Sequence, residues 1–129
     1  MVQIDIRYLG ELRCEATHEP SGAVLLTDAP KDNQGQGASF SPTDLVATAL
    51  GSCMLTIMGI VARRDQIDLS GTTVRVTKEM VAQPARRIGR LTVTIHVPHE
   101  LSPEQQKKLE VAAHTCPVHK SLHPDIETP

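Results

Sequence analysis

The chain contains three cysteines, and the neighbours of each one indicate what chemistry it could perform. Cys53 lies in the middle of a long uncharged stretch, whereas Cys116 directly precedes Pro117 at the start of a short helical pattern. Two thiols that meet in a fold can form a disulfide through an oxidised intermediate. Cys53 and Cys116 are therefore a candidate pair of peroxidatic and resolving cysteines.

Local surroundings favour reactivity at Cys116 more than at Cys53. A helix N-terminus lowers the pKa of a thiol by stabilising the thiolate, and His114, His119 and Lys120 lie near Cys116 in the sequence. Cys53 is in mid-helix, where the helix dipole has faded. Packing is the simplest role for Cys53, and any activation must come from a residue that the fold brings near it.

The stretch around Cys53 is predicted to form one long helix, residues 42–64. Ser41 and Asp44 have the spacing of a capping box at its start. No residue in the range 45–62 is charged, and apolar residues occur on all sides of the helix. This pattern is typical of a helix that is buried on every face.

The length and apolarity of this helix raise two questions, whether it spans a membrane and whether a second chain covers it. The uncharged run is long enough to span a bilayer, but small and hydroxyl residues interrupt it and both flanks are polar, so a core helix is predicted. One chain of 129 residues has too few other elements to cover such a helix on all sides. A homodimer is therefore predicted.

Alternating apolar and polar residues predict strands before and after the long helix. Cys14 alternates with Leu12 and Ala16 and is predicted to belong to the core. The predicted elements are strands at 2–8, 12–16 and 23–26, a mobile loop at 28–39, the long helix, a hairpin beginning at Val74 and ending with a strand at 91–97, a helix from Ser102 to His114, and a helical start at 115–122. Their order predicts one α+β domain, residues 1–129, with antiparallel sheets.

Charge and cysteine usage exclude several classes of function. The net charge is −2, with basic and acidic residues nearly balanced, which argues against binding to nucleic acid or to an anionic membrane surface. The N-terminus lacks the pattern of a signal peptide, and an odd number of cysteines does not make a secreted disulfide framework. A cytoplasmic location is predicted.

Two segments resemble the signature segments of the OsmC/Ohr family of thiol peroxidases. They are SPTDLVATALGSC, ending at Cys53, and AHTCPVHKSL, beginning at Ala113. The resemblance implies an intertwined homodimer with its active sites at the interface. It also implies that Cys53 attacks the peroxide, that Cys116 resolves the sulfenic acid as a disulfide, and that an external dithiol, with no bound cofactor, reduces this disulfide.

One site in this chain departs from the family pattern. In better-characterised members an arginine from the N-terminal strands activates the first cysteine, and a glutamate just before the helix holds that arginine. Thr43 occupies the glutamate position here, which places the chain closer to the generic OsmC-like branch. Asp44 is the candidate replacement, and Arg13 is the candidate arginine. The other arginines considered are Arg7 and Arg86 or Arg87 of the partner subunit.

Two readings from other functional classes remain. Four residues of types that bind zinc lie close together near the C-terminus, namely His114, Cys116, His119 and His123. Their spacing matches no common zinc finger or ribbon, so a metal site is the weaker hypothesis. The other reading is a small-molecule binding protein of the same fold without peroxidase activity. The observation in its favour is that Thr43 replaces the family glutamate.

Overall fold

Three strands near the N-terminus form the antiparallel meander that the residue alternation predicts. The computed structural model describes all 129 residues and contains two compact units, Met1–Leu45 and Val46–Pro129. The first unit holds strands β1 (Ile4–Gly10), β2 (Arg13–His18) and β3 (Val24–Asp28) in the spatial order β1-β2-β3. Leu12 lies in the turn before β2 with a positive φ of 62°, not in the strand where the sequence pattern placed it.

One face of this sheet is apolar and exposed, which differs from the half-buried strand that its alternation predicts. Ile4, Ile6 and Tyr8 are 56%, 69% and 64% exposed. The opposite residues on β2 include Ala16 and Cys14, which share the same face. Alternation correctly identified the face, but no part of the single chain covers it.

The segment between β3 and the long helix is held by internal hydrogen bonds, in contrast to the predicted mobile loop. It contains one 3-10 turn, Lys31–Asn33, and the N–H groups of Gly35 and Gly37 donate to the carbonyls of Pro30 and Ala29. A Cβ at position 35 would lie 1.7 Å from the carbonyl oxygen of Ala29. Only glycine fits this close approach of the two backbone segments.

The long helix α1 spans Pro42–Arg64, with the predicted bounds. The capping box is present, because the Asp44 N–H donates to Ser41 Oγ at 3.1 Å and the Ser41 N–H donates to Asp44 Oδ2 at 2.9 Å. In the single chain α1 is covered on only part of its surface. Its exposed residues recur every fourth position along one stripe, which consists of Thr48, Ser52, Thr56 and Ile60.

By length and composition α1 could cross a membrane, and 28% of its most apolar window is buried within the chain. The core helix of a soluble protein meets the same criteria. Three of the four residues in the exposed stripe carry hydroxyl groups, and a lipid-facing surface is normally apolar. The composition of the stripe therefore favours contact with protein over contact with lipid.

The second unit packs α1 against a two-stranded sheet and two further helices. Strands β4 (Thr73–Val81) and β5 (Arg87–His96) pair antiparallel, and helices α2 (Pro103–Ala113) and α3 (Pro117–Ser121) follow. The predicted capping box of Ser102 and Gln105 is present at the start of α2. The chain ends alongside β5, where Glu127 forms a parallel bridge with Arg90. These elements confirm the α+β prediction with antiparallel sheets and a long central helix.

Two glycines on α1 provide a matched test of its packing. A Cβ at Gly51 would lie 2.9 Å from Val76 Cγ2 on β4, whereas a Cβ at Gly59 would meet nothing within 4 Å. Replacing a helical glycine by alanine favours the helix by about 1 kcal/mol, and overpacking a core costs about 1–3 kcal/mol. We expect Gly59→Ala to raise the free energy of unfolding and Gly51→Ala to lower it, as measured by urea denaturation. Equal stabilisation by both substitutions would contradict the close contact of α1 with β4.

Candidate active site

Cys53 lies at the middle of α1 and is half-buried. Its side chain packs against a buried cluster that contains Leu50 from α1 and Leu91 from β5. Both leucines are fully buried. The capped start of α1 and this packing fix the position of the Cys53 thiol.

Cys116 is the N-cap residue of α3, as its position before Pro117 predicts. It is fully buried, and the backbone N–H of His119 donates to its Sγ at 3.4 Å. This helix start is less exposed to water than the half-buried Cys53. The reason is that Cys116 belongs to the same buried cluster as Leu50 and Leu91.

The fold brings these two cysteines together, although they are far apart in the sequence. Cys53 packs against the cluster that contains Cys116, and its thiol is one of the groups that raise the pKa of Cys116. Both are free thiols in this structure. Disulfide formation requires two cysteines that lie near each other in the fold.

Burial raises the pKa of the Cys116 thiol above its ordinary value, and the hydrogen bond from its side chain to Cys53 raises the pKa further. The backbone N–H groups of His119 and Val118 act in the opposite direction and do not compensate. The prediction that a helix start lowers the pKa of Cys116 is therefore wrong. Helix α3 has only five residues, so its dipole is weak compared with the effect of burial.

The second unit contains a cavity of about 560 Å³, and neither Cys53 nor Cys116 is among the residues that line it. Leu50 and Met54 of α1 belong both to its wall and to the cluster around the two cysteines. Aliphatic side chains and methionines make up most of the wall, and His114 and His119 are among its few polar residues. A cavity lined in this way suits a small apolar molecule with one polar group.

A sequence model of OsmC-like proteins matches residues 35–128. The chain belongs to the OsmC-like family. Among solved structures, a proposed osmotic stress induced and detoxification response protein from Psychrobacter arcticus 273-4 is 51% identical, with a TM-score of 0.94 over 99% of this chain and 93% of the other. No curated protein matched in a separate search.

Two more distant structures share the OsmC-like fold. An organic hydroperoxide resistance protein OsmC from Legionella pneumophila is 17% identical, with a TM-score of 0.78 over 99% of this chain and 93% of the other. The organic hydroperoxide resistance protein OhrB of Bacillus subtilis is 18% identical, with a TM-score of 0.68 over 99% and 94%. At these identities the likeness establishes the fold alone.

In this OsmC-like protein Arg13 is the first residue of β2, and its guanidinium contacts two side chains of the first unit. Arg13 Nη2 donates to Gln36 Oε1 at 3.1 Å, and Arg13 Nε lies 3.7 Å from Asp28 Oδ1. Asp44, the other candidate from the family pattern, accepts from the Ser41 N–H in the capping box of α1. The geometry therefore shows Asp44 as a capping residue of α1.

Asp28 and Gln36 are contacts of Arg13 that the sequence reasoning missed. A signal for Asp28 was present, because the predicted turn at residues 18–22 sets the register of β2 and β3. That register pairs Arg13 directly with Asp28. No comparable signal identified Gln36, which reaches Arg13 from the loop after β3.

The histidines of the alternative metal site have other partners. His119 Nε2 lies 2.9 Å from Thr128 Oγ1, and His123 Nδ1 accepts from the Asp125 N–H at 3.0 Å. Across all 129 residues, no group of three or more histidine, cysteine or acidic side chains is placed to hold a metal ion. The geometry thus gives no support to a metal site at the late helix.

The remaining cysteine, Cys14, lies on β2 and is half-buried. Its position is opposite Tyr8 on β1 and Thr27 on β3. Cys14 belongs to neither buried cluster of the single chain, so its predicted place in the core stays a prediction.

Proposed function

We propose that this protein is a thiol-dependent hydroperoxide reductase in which Cys53 reacts with the peroxide and Cys116 resolves the product. The observation that carries the proposal is the packing of Cys53 against the buried cluster that contains Cys116. Membership of the OsmC-like family and the names of its structural neighbours support the same class of reaction.

The proposed cycle has three balanced steps. The Cys53 thiolate attacks one peroxide oxygen and the O–O bond breaks, which, with one proton, gives a Cys53 sulfenic acid and an alcohol. The Cys116 thiol then condenses with the sulfenic acid, giving a disulfide and water. An external dithiol reduces the disulfide by thiol–disulfide exchange and is itself oxidised to a disulfide. No resident cofactor takes part, and the reducing cytoplasm is the compartment that we propose for the cycle.

Burial supports this assignment of the two roles. Cys116 is fully buried, whereas Cys53 is half-buried. A peroxide must reach the sulfur that it oxidises, but a resolving thiol needs to reach only its partner. The raised pKa of Cys116 keeps it a neutral thiol, which also suits the residue that reacts second.

The raised pKa of Cys116 predicts how the second step depends on pH. Only the thiolate attacks, and burial keeps the thiolate fraction small at neutral pH. We expect the rate of disulfide formation to rise about tenfold per pH unit until the pH reaches the raised pKa of Cys116. Rapid quenching with dimedone at a series of pH values measures the decay of the sulfenic acid. A rate that stays constant from neutral to alkaline pH would contradict the buried thiol.

A homodimer is part of the proposal. The apolar face of the first sheet, which includes Ile4 and Ile6, is exposed in the single chain, as is Ile60 in the stripe on α1. Exposed apolar area of this extent is normally covered by a protein partner. We expect light scattering to give the mass of a dimer at micromolar concentration, and Ile6→Lys to shift the equilibrium towards the monomer. A folded wild-type monomer at that concentration would contradict this prediction.

The cavity also favours a second candidate, a small-molecule binding protein of the same fold. Its wall could hold an apolar ligand without any redox step. Turnover separates the two candidates. With excess dithiothreitol we expect the wild-type protein to consume many equivalents of cumene hydroperoxide. Consumption of less than one equivalent would favour binding without catalysis.

A further inference from the structure

The residues on both sides of Thr128 are hydrogen-bonded to β5 through their backbones. The Glu127 N–H donates to the Gly89 carbonyl at 3.0 Å, and the Pro129 carbonyl accepts from the Val93 N–H at 3.4 Å. Thr128 is therefore held between two anchored residues in the second unit of the chain. This anchoring fixes the direction in which its side chain points.

The Thr128 side chain contacts α3, the helix that begins after Cys116. Thr128 Oγ1 lies 2.9 Å from His119 Nε2, and both residues are half-buried. Two residues earlier, Ile126 packs against the buried cluster that contains Cys116. The end of the chain thus connects β5 with the helix start at Cys116.

His119 is bonded to Thr128 through its ring and to Cys116 through its backbone. The His119 N–H donates to Cys116 Sγ at 3.4 Å. We propose that Thr128 is a positioning residue for Cys116, because it holds His119 and thereby the N–H group that His119 directs at the Cys116 sulfur. The inference rests on the proposed function, in which this sulfur resolves the sulfenic acid.

Helix α3 is too short to maintain this geometry by itself. It spans five residues, none of which is buried, and a helix of that length is not stable in isolation. Its first turn therefore depends on contacts with the rest of the chain. Val118 supplies one by packing against the buried cluster, and the hydrogen bond between His119 and Thr128 supplies another.

The His119 N–H is one of few groups that favour the Cys116 thiolate. Burial and the neighbouring Cys53 raise the pKa of Cys116, whereas the N–H groups of His119 and Val118 lower it. The side chains that α1, β4, β5 and the C-terminal segment contribute to the cluster are apolar apart from the Cys53 thiol. Loss of the His119 N–H contact should therefore reduce the thiolate fraction of Cys116, and only the thiolate attacks.

The test titrates Cys116 in the reduced, full-length protein without peroxide. Carbon NMR of protein labelled at the cysteine Cβ gives the midpoint, and the spectrum of Cys116→Ser assigns the signal. Thr128→Val removes the hydroxyl group that contacts His119. We expect it to raise the midpoint by about half a pH unit, which reduces the thiolate fraction at neutral pH about threefold. If Thr128 only covered the cluster, its substitution would lower the midpoint, because burial is what raises the pKa of Cys116.

Two further variants test the same hydrogen bond. His119→Leu removes the other partner but keeps the backbone N–H. It should raise the midpoint as far as Thr128→Val does, and the double variant should show no additional shift. Thr128→Ser keeps a hydroxyl group and should restore most of the wild-type midpoint. If Thr128→Val does not fold, His119→Leu decides.

Glu127 provides the matched control, because it is next to Thr128 but pairs with Arg90 at the surface. Arg90 Nη2 donates to Glu127 Oε2 at 2.6 Å, and the two side chains are 48% and 63% exposed. An exposed ion pair of this kind contributes little to the position of the backbone. Glu127→Gln should therefore leave the midpoint of Cys116 unchanged.

An unchanged or lowered midpoint in either Thr128→Val or His119→Leu would overturn the proposal, and so would an equal rise in Glu127→Gln. Rapid quenching with dimedone then measures disulfide formation, which should be about threefold slower in Thr128→Val at neutral pH. A wild-type protein that forms no sulfenic acid would refute the proposed function but would not alter the titration. Failure of the positioning role and failure of the peroxidase function are therefore distinguishable.

Discussion

Replacement of Cys53 by serine is expected to abolish reduction of an organic hydroperoxide. A serine hydroxyl is not a nucleophile towards peroxide, and the remaining thiol at Cys116 is fully buried and held in its neutral form. Loss of a nucleophile typically lowers the rate of an enzyme by about a thousandfold or more. Peroxide consumption followed by a ferrous oxidation assay, with dithiothreitol as reductant, measures the loss.

The companion substitution at Cys116 should have a different kind of effect. Cys116→Ser should consume one equivalent of peroxide and stop at a sulfenic acid on Cys53, which dimedone traps. Cys14→Ser is the matched control and should turn over at the wild-type rate, because Cys14 lies on β2 and is not part of the cluster around Cys53 and Cys116. If Cys53→Ser still reduces peroxide in a single turnover and the dimedone label is found on Cys116, the two roles are reversed.

If Arg13 is the arginine that activates Cys53, as the family resemblance implies, its removal should slow alkylation of Cys53 about tenfold at neutral pH. A positive charge close to a thiol lowers its pKa by about one to three units, so its loss would reduce the thiolate fraction. Arg13→Ala also removes the cation beside the buried Asp28 carboxylate, so we expect it to lower the free energy of unfolding as well. Iodoacetamide kinetics on the Cys53 peptide, together with a thermal unfolding curve, measure both effects.

The other arginines considered for this role provide the controls. Arg7 forms an exposed pair with Glu15, so Arg7→Ala should leave the kinetics unchanged. Arg86→Ala and Arg87→Ala test whether a residue outside the N-terminal sheet supplies the charge. Wild-type alkylation by Arg13→Ala, with a slow reaction in one of these variants, would transfer the role to that residue.

The parts of the fold that the sequence predicted correctly depend on local interactions. The start of α1 follows from Ser41 and Asp44, which satisfy each other's backbone groups without help from the rest of the chain. The start of α2 follows from Ser102 and Gln105 in the same way. Strand alternation likewise identified β1 to β3 to within a few residues.

Burial was harder to predict, because it depends on what packs against an element. The alternation in β1 correctly placed Ile4, Ile6 and Tyr8 on one face, but no element of the single chain covers that face. The uniform apolarity of α1 predicted cover on all sides, whereas the hydroxyls of Thr48 and Ser52 lie in its exposed stripe. Neither result can be read from hydrophobic periodicity.

The chemistry of the site was predictable only in part. The positions of Cys53 and Cys116 in the sequence made them a candidate pair, and the resemblance to a known family implied which of them attacks the peroxide and which resolves the product. The direction of the Cys116 pKa depends on tertiary burial and on the neighbouring thiol, so reasoning from the helix start gave the wrong sign. The contact of Asp28 with Arg13 depends on the register of β2 and β3, which follows from the predicted turn at residues 18–22.

The central claim is that peroxide converts Cys53 and Cys116 into a disulfide within one chain. The most direct measurement exposes the wild-type protein briefly to one equivalent of cumene hydroperoxide, blocks the remaining thiols and maps the peptides by mass spectrometry. The predicted result is a Cys53–Cys116 disulfide, with Cys14 recovered as a blocked thiol. Recovery of both Cys53 and Cys116 as blocked thiols, with the peroxide unconsumed, would contradict the account.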